Sequence, residues 1–452
     1  MVSPYIRRNL RLSGPIVLSS LGQNFVQIMD TLMVGMLGTV PLAAVSFAFN
    51  VANNALVVGM GIAMGLTPLV GINHARRDKN AVTGLLQNAL LLNGGIAAVL
   101  VAALLALLPF LGLFGQPAEV VEACREYYLI VALSFIPMML FLTFKQWLEG
   151  MGDTRAAMAV TVGANLLNVL GNWVFIFGHW GSPAMGVFGA GLSTFVARLL
   201  CPVAIYLYVR RTPRYNAYLL SFRRQRIARH VQRQLIGIGF PIAGQMFIEF
   251  FALFGITIMM GWVSTAALAA WQVVNTLISS TFLVASGVVS AITVLVAHAW
   301  GRGDERALRQ HFLTGWKMVL LAMGAFGLCF VLLGRHITML FSHDAAVVAL
   351  GAQLFVVAGV FQLFDGTQVT GLGGLRGVGD VRRPMLYAIL SYLFVALPFA
   401  YVCGFVLHLG VWSILAGFMA GLMVAGILYH TRFHKTLRRH FHPSEGIKAA
   451  LP

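Results

Sequence analysis

Apolar runs of about 20 or more residues recur along the whole sequence, and this length suffices for a helix to cross the hydrocarbon core of a membrane. Hydrophobic residues make up 59% of the chain and charged residues 10%, whereas soluble domains carry about 25% charged residues. Backbone groups in lipid must be satisfied within a helix or a closed barrel, and these runs are too long for barrel strands. The sequence therefore predicts an all-α polytopic membrane protein.

We expect twelve transmembrane helices, and the N-terminal stretch carries no small-residue cleavage site that would predict a removable signal peptide. The predicted spans cover residues 12–36, 43–71, 83–110, 124–148, 156–178, 186–208, 235–260, 267–298, 310–333, 347–372, 384–407 and 411–431.

Basic residues cluster on one side of this arrangement. They occur before the first span and after every even-numbered span: Arg7, Arg8, Arg11 and residues 74–79, 152–155, 210–234, 301–309, 376–383 and 431–440. The positive-inside rule then places both termini in the cytoplasm. The net charge of +17 is spread over short loops that form no nucleic-acid reader, so we expect these residues to set topology and to contact anionic lipids.

The chain repeats itself at an offset of about 226 residues. The matching pairs are "PLAAVSFAFN" (41–50) with "ALAAWQVVNT" (267–276), "NHARRD" (73–78) with "AWGRGD" (299–304), and "LEGMGDTRAAM" (148–158) with "LRGVGDVRRPM" (375–385). A repeat of six helices has an even number of crossings, so the two copies run parallel. We therefore predict two pseudo-symmetric six-helix bundles at 1–208 and 235–431, a basic cytoplasmic linker at 209–234 and a basic tail at 432–452.

Three acidic residues lie well inside predicted spans, away from the span ends: Asp30 in the first, Glu249 in the seventh and Asp365 in the tenth. Each charged side chain at the bilayer centre costs about 2.5–3.5 kcal/mol on insertion scales, and such residues usually face the bundle interior and serve function. The alternative interpretation is a neutral carboxylate hydrogen-bonded to a neighbouring helix. The first and seventh spans are equivalent in the repeat, but Asp30 aligns with Ile256 and Glu249 with Gln23. The two polar centres are therefore not copies of each other.

Basic side chains near span ends do not change this expectation. Lys145, Arg198 and Lys317 are predicted to extend to the cytoplasmic interface. The spans then offer no three fixed cationic partners for the three acids. Protons, metal cations and cationic substrates remain as their candidate partners, since a buried carboxyl group also binds a proton readily.

Carboxamide side chains accompany the acids. Asn165, Asn168 and Asn172 recur at three and four residues, so they share one face of the fifth span. That face can hydrogen-bond a carboxylate, line a cavity or hold two helices together. Gln272 and Asn275 in the eighth span are further candidates for lining a cavity. Small residues spaced by four, at Gly61–Gly65 and Gly417–Gly421, predict close helix packing.

The chain resembles the multidrug and toxic compound extrusion (MATE) family, and more closely its NorM-type branch. The resemblance covers nearly the whole chain and rests on "QIMDTLMVGMLGTVPLAAVS" (27–46), "PIAGQMFIEFF" (241–251), "FQLFDGTQVTGLGGLRGVGD" (361–380) and the paired "GMGDTR" and "GVGDVR" loops. It implies the twelve-helix MATE fold in two six-helix lobes. It also implies export of cationic, often aromatic compounds, driven by inward flow of sodium ions or protons.

The resemblance also implies roles for individual residues. Glu249 and Asp365 match acids of a cation-binding region, and Asp30 matches an acid proposed for proton or drug coupling. Asn168 and Asn172 match residues of a polar cavity, to which we add Asn165 and, one turn before Asp365, Phe361. Some family members have a tyrosine at the position of Phe361. Phenylalanine has no hydroxyl group, so a tyrosine hydroxyl that could bind sodium is missing in this chain.

Two six-helix bundles with a cavity between them suit alternating access, and the resemblance thus implies a secondary transporter in a bacterial inner membrane. It needs no enzyme cofactor and uses Na⁺ or H⁺ as the coupling ion, with Glu249 and Asp365 as the Na⁺ ligands if the ion is sodium. Its expected partners are small cationic or amphipathic drugs and membrane lipids, not nucleic acid, and we expect a monomer. Two alternatives are a lipid-linked precursor flippase, which would need a basic cavity, and an intramembrane enzyme, for which no metal motif or nucleophile–base pair is evident.

Overall fold

A computed structural model describes residues 4–222 and 227–442, and these residues form helices and no strand. The chain divides into two compact units. The first unit comprises Leu18–Ala243, and the second unit comprises Met1–Val17 together with Gly244–Pro452. The boundaries fall inside two long helices, whereas the sequence analysis placed them at 208/209 and 234/235.

The first unit contains the helices of the first repeat. Their bounds are α1 Pro4–Gly35, α2 Thr39–Ala75, α3 Lys79–Phe114, α4 Ala118–Gly150, α5 Arg155–Phe177, α6 Gly186–Arg211 and the short α7 Pro213–Leu220. The first fourteen residues of α1 belong to the second unit. The predicted linker at 209–234 contains α7, and residues 223–226 of it lie outside the described residues.

The second unit contains the helices of the second repeat. Their bounds are α8 Arg229–Val263, α9 Thr265–Arg302, α10 Glu305–Phe341, α11 Ala345–Gly377, α12 Arg382–Val406 and α13 Val411–Phe441. Helix α8 begins in the first unit, since the boundary follows Ala243. The predicted tail at 432–452 is helical as far as Phe441, and residues 443–452 lie outside the described residues.

Eleven of these helices are long and apolar enough to cross a membrane. Helix α1 is the other long helix, with 32 residues, and its polar residues Gln23, Asn24, Gln27 and Asp30 lower its hydropathy. Together they make the predicted twelve helices, so the all-α, multi-pass fold is confirmed.

The two repeats begin and end helices with the same local chemistry. Asp78 caps α3 by accepting from the Ala81 N–H at 2.9 Å, and Asp304 caps α10 by accepting from the Ala307 N–H at 2.9 Å. A short acceptor side chain at this position satisfies one of the free N–H groups of the first turn. The two aspartates occupy equivalent positions in the sequence repeat.

The paired glycine–aspartate loops form the same turn in both units. Gly152 and Gly379 have φ values of 87° and 78°, in the left-handed region that favours glycine. The Asp153 N–H then donates to the Leu148 carbonyl, and the Asp380 N–H to the Leu375 carbonyl, both at 2.9 Å. The repeat is therefore a structural repeat as well.

The two loop aspartates anchor the last helices of their own units. Asp153 accepts from the Tyr208 and Tyr215 hydroxyls at 2.8 and 2.9 Å. In the second unit, Asp380 accepts from the Arg432 side chain at 2.6 Å and from the Thr436 hydroxyl at 3.1 Å. An equivalent acid thus uses different partners in the two copies.

Helix α7 is fixed to the first unit by aromatic packing. Tyr218 and Tyr215 meet the buried Trp147 edge to face, with ring centroids 5.4 and 6.1 Å apart. Burial, the charge of Asp153 and the hydrogen bond to it raise the pKa of Tyr215 above its ordinary value. The neutral phenol is therefore the form that holds α7 in place.

The predicted small-residue contacts are present within the units. A Cβ on Gly61 would lie 2.5 Å from the Ala243 Cα atom, and one on Gly65 would lie 2.7 Å from the Gly239 N atom. In the second unit, a Cβ on Gly417 would collide with the Ala400 backbone. Larger side chains would force these helices apart, so the prediction of close packing is confirmed.

Candidate functional site

Asp30 lies on α1 within the first unit, facing the asparagine side of α5. The Asn172 side-chain nitrogen donates to Asp30 Oδ1. The Asn168 amide is assigned with its nitrogen toward the carboxylate, because this orientation satisfies both of its ends: the nitrogen donates to Asp30 Oδ1 at 2.9 Å and the oxygen accepts from the Thr194 N–H at 3.3 Å. Asn172 is fully buried and Asn168 is 6% exposed. Two amide donors therefore hold the carboxylate.

The third asparagine of this face also turns toward α1. The Asn165 Nδ2 atom lies 3.6 Å from the position that a Cβ on Gly22 would take. This amide nitrogen is buried and has no hydrogen-bond partner among the described residues. The prediction that Asn165, Asn168 and Asn172 share one face is confirmed, and two of the three, Asn168 and Asn172, donate to Asp30.

Arg198 of α6 has a different environment from the predicted one. Its Nη1 atom donates to the buried Ser134 hydroxyl at 2.8 Å, where α4 is interrupted. It also interacts electrostatically with Asp30 and Tyr127. The expectation that Arg198 extends to the interface is therefore wrong, because a hydroxyl acceptor and a carboxylate inside the unit attract it.

Glu249 lies on α8 in the second unit, in a chain of polar side chains. The Gln245 Nε2 atom donates to Glu249 Oε2 at 2.7 Å. The Arg376 Nη2 atom, near the end of α11, donates to Gln245 Oε1 at 2.6 Å. Gln245 thus connects the carboxylate to a guanidinium group, and Gln245 is only 2% exposed. The sequence analysis assigned Arg376 to a loop cluster and missed this contact.

Asp365 lies on α11, close enough to Glu249 for the two carboxyl groups to repel each other. It is 4% exposed, and within the described part of the chain it makes no hydrogen bond or ion pair. The Tyr392 side chain, which sequence reasoning also missed, lies beside both acids. Glu249 is therefore held by neighbours, whereas Asp365 has a like-charged neighbour and no fixed partner.

Several buried polar groups of the second unit have no hydrogen-bond partner of standard geometry within residues 4–222 and 227–442. They are Gln362 Oε1, both ends of the Gln368 amide, Arg376 Nε, Ser391 Oγ and Tyr392 Oη. Gln362, Asp365 and Gln368 follow each other at three-residue steps on α11. Buried polar groups without partners are rare in native proteins and often mark the place of a water or an ion.

The remaining predicted residues are less closely associated with the acids. Gln272 is exposed and Asn275 half-buried on α9. Phe361 is 3% exposed in the apolar core of the second unit, where its ring stacks on Phe418 with centroids 5.9 Å apart. This packing gives Phe361 a structural role, and a role of these three residues in lining a cavity stays a prediction.

The described residues contain no cluster of three or more histidine, cysteine, aspartate or glutamate side chains that forms a metal centre. The Glu249–Asp365 pair has only two such groups. Carboxylates and amide oxygens are nevertheless the oxygen donors that hard monovalent and divalent cations use. The pair and its neighbouring amides are therefore oxygen donors of the kind that a hard cation uses.

Comparison with known proteins agrees with the repeat and the fold. The MatE family model matches residues 15–174 and again residues 241–402, so both copies of the repeat match it. A probable multidrug resistance protein NorM of Rhizobium meliloti is 31% identical, over 96% of this chain and 94% of its own length. The probable multidrug resistance protein NorM of Pseudomonas putida is 30% identical, over 95% of this chain and 94% of its own.

Solved structures show the same fold at lower identity. A MATE crystal structure in the bent conformation matches with a TM-score of 0.88 at 19% identity, over 97% of this chain and 98% of its own. A mutant form of the Vibrio cholerae MATE transporter VcmN matches with a TM-score of 0.87 at 18% identity, over 96% and 98% of the two chains. Given these matches, and the family model that covers both repeats, the chain belongs to the MatE family of membrane transporters and is not an enzyme.

Proposed function

We propose that this protein exports small cationic or amphipathic drugs by antiport with inward-moving Na⁺ or H⁺. Its relatives are named multidrug resistance proteins, which supports drugs as the exported class. The observation that carries the antiport proposal is the second-unit pair of Glu249 and Asp365. Among the described residues, Arg376 is linked to Glu249 through Gln245, whereas Asp365 has no such cationic partner, so the centre attracts one further positive charge.

The membrane potential gives a physical reason for exchange. Export of a monovalent cation against a negative-inside potential costs about 2.3 kcal/mol per 100 mV. Entry of one monovalent cation cancels this electrical cost and leaves the ion gradient as the driving force. Binding of the coupling ion neutralises a carboxylate and weakens its hold on a cationic drug, so the same acid alternates between the two.

Asp30 is the second site of this scheme, either for the coupling ion or for the drug. Its carboxylate accepts from Asn168 and Asn172, and Arg198 offsets its charge. Neither polar centre has an excess of positive charge, which disfavours the anionic headgroup that a precursor flippase would bind. We propose that the cycle proceeds by alternating access in a bacterial inner membrane, with both termini cytoplasmic, lipids as neighbours, and the protein acting as a monomer without an enzyme cofactor.

The test is ethidium efflux from preloaded cells that express the wild type, Asp30→Asn, Glu249→Gln or Asp365→Asn. Each single change is expected to impair efflux sharply at equal abundance in the membrane. Glu122→Gln is the matched control, because Glu122 is an exposed acid on α4. Full efflux by all three site variants would contradict the proposal.

Efflux from the same cells also identifies the coupling ion. Loss of efflux when only the sodium gradient is collapsed would assign sodium, and loss with a protonophore alone would assign protons. Efflux by the wild type that persists with both gradients collapsed would contradict antiport.

A further inference from the structure

Glu249 and Asp365 of the second unit have different electrostatic environments, and Arg376 is the cause of the difference. Arg376 reaches Glu249 through Gln245, by two hydrogen bonds of 2.6 and 2.7 Å. Arg376 and Asp365 are eleven residues apart on α11. At 1.5 Å per residue their backbones are separated by about 16 Å, beyond the reach of one arginine side chain. Arg376 therefore offsets the charge of Glu249 and leaves that of Asp365.

The turn that follows Arg376 does not require a basic residue. Arg376 aligns with Glu149 in the repeat, and Glu149 precedes the same glycine–aspartate turn in the first unit. Glu149 is buried and has Lys145 Nζ at 4.0 Å as its partner. One repeat position thus carries an acid in one unit and a base in the other. The fold accepts both, so the charge of Arg376 serves the centre that contains Glu249.

The neighbourhood of Asp365 contains polar groups that other protein groups in the described part of the chain do not pair. Asp365 has no fixed partner among the described residues, and both ends of the Gln368 amide, three residues further along α11, are buried without standard hydrogen bonds. Arg376 Nε is likewise buried without a partner. The Gln245 amide donates to Glu249, whereas Asp365 and the neighbouring Gln368 amide have no such partner among the described residues.

We infer that Arg376 is a positioning residue that fixes Glu249 and sets the centre to one net negative charge, so that Asp365 takes a single monovalent cation per cycle. The inference rests on the proposed antiport. It assigns different roles to the two acids: Glu249 is part of a fixed polar chain, and Asp365 is the exchanging group.

The experiment uses the purified full-length protein in proteoliposomes, with ethidium export driven by the Na⁺ or pH gradient that drives the wild type. Glu249→Gln removes the acid that Arg376 offsets, so the centre becomes neutral and export falls by at least about tenfold. Glu249→Gln combined with Arg376→Gln returns the centre to one negative charge, and export recovers to within a few-fold of the wild type. Asp365→Asn combined with Arg376→Gln is the matched control and stays inactive, because the exchanging group is lost.

Single substitutions of Arg376 give a second measurement, the KM for the coupling ion, which would not change if the role of Arg376 were purely structural. Arg376→Gln leaves two uncompensated acids, so the KM for the coupling ion falls while the turnover rate also falls, since the ion leaves more slowly. Arg376→Lys keeps the charge and is expected to keep the KM for the coupling ion near that of the wild type.

Two results would overturn the inference. One is a Glu249→Gln/Arg376→Gln protein that exports no better than Glu249→Gln, and the other is equal recovery of the Asp365→Asn/Arg376→Gln protein. Either result, with gradient-driven export by the wild type, leaves the antiport proposal intact. Wild-type export that needs no ion gradient would instead contradict the proposed function itself.

Discussion

Replacement of Asn172 by alanine tests whether the α5 asparagines hold Asp30 in the form that transport uses. The Asn172 amide donates to Asp30, and Asn168 is the second donor. Asn172 Oδ1 has no partner among the described residues, so its removal leaves no buried donor without an acceptor. The effect is therefore confined to one donor of the carboxylate.

The size of the effect follows from that single bond. A hydrogen bond to a charged group contributes about 1.5–3 kcal/mol, which corresponds to about tenfold to a hundredfold in a rate or binding constant. Since Asn168 still donates to Asp30, we expect the rate of ethidium export to fall by about tenfold, the lower end of this range.

Asn165→Ala is the matched control. Asn165 lies on the same face of the same helix, but its amide nitrogen has no hydrogen bond to lose. Initial rates of ethidium export are compared in proteoliposomes at equal protein content. The reasoning is refuted if Asn172→Ala exports at the wild-type rate, or if Asn165→Ala is equally impaired.

Further substitutions test the packing and the anchors. Gly61→Ala places a methyl group against a helix backbone and should lower the free energy of unfolding by about 1–3 kcal/mol. Gly94→Ala, where the added Cβ has no atom from another part of the described chain within 4 Å, should be neutral or stabilising. Equal melting temperatures of the two variants would contradict the close packing. Tyr215→Phe should lower the free energy of unfolding by about 1 kcal/mol below pH 10. The difference between the two proteins should shrink at higher pH, because the pKa of Tyr215 is raised in the folded protein and only the unfolded chain ionises just above pH 10. A difference independent of pH would count against the neutral phenol as an anchor. Asp380→Asn should lower the free energy of unfolding modestly, by about 1 kcal/mol, since the pair with Arg432 is partly exposed, and should leave export active. A large loss of export at normal stability would assign Asp380 more than an anchoring role.

The fold was largely predictable from the sequence, because lipid leaves helices as almost the only solution for long apolar runs. The repeat was equally visible, and its aspartate caps and glycine turns recur in the structure at equivalent positions. Intramembrane acids were also easy to find, since each is an isolated charge in an apolar run. The α5 asparagine face followed from helical spacing alone.

The partners of these acids were not predictable, because they come from helices far apart in the sequence. Arg198 and Arg376 lie near span ends, where a basic residue is most often a topology signal, and only the folded unit places them beside carboxylates. Tyr392 had no distinguishing pattern in its apolar surroundings. The division of the chain inside α1 and α8 was hidden for a similar reason, since a continuous helix carries no sequence signal at the point where its packing partners change.

The most direct test of antiport at the acids of the second unit is uphill ethidium export by purified protein in proteoliposomes, with an imposed Na⁺ or H⁺ gradient as the sole energy source. The proposal predicts that the wild type concentrates ethidium only while one of these gradients is present, and that Asp365→Asn does not. Uphill export without an ion gradient, or equal gradient-driven export by Asp365→Asn, would contradict it.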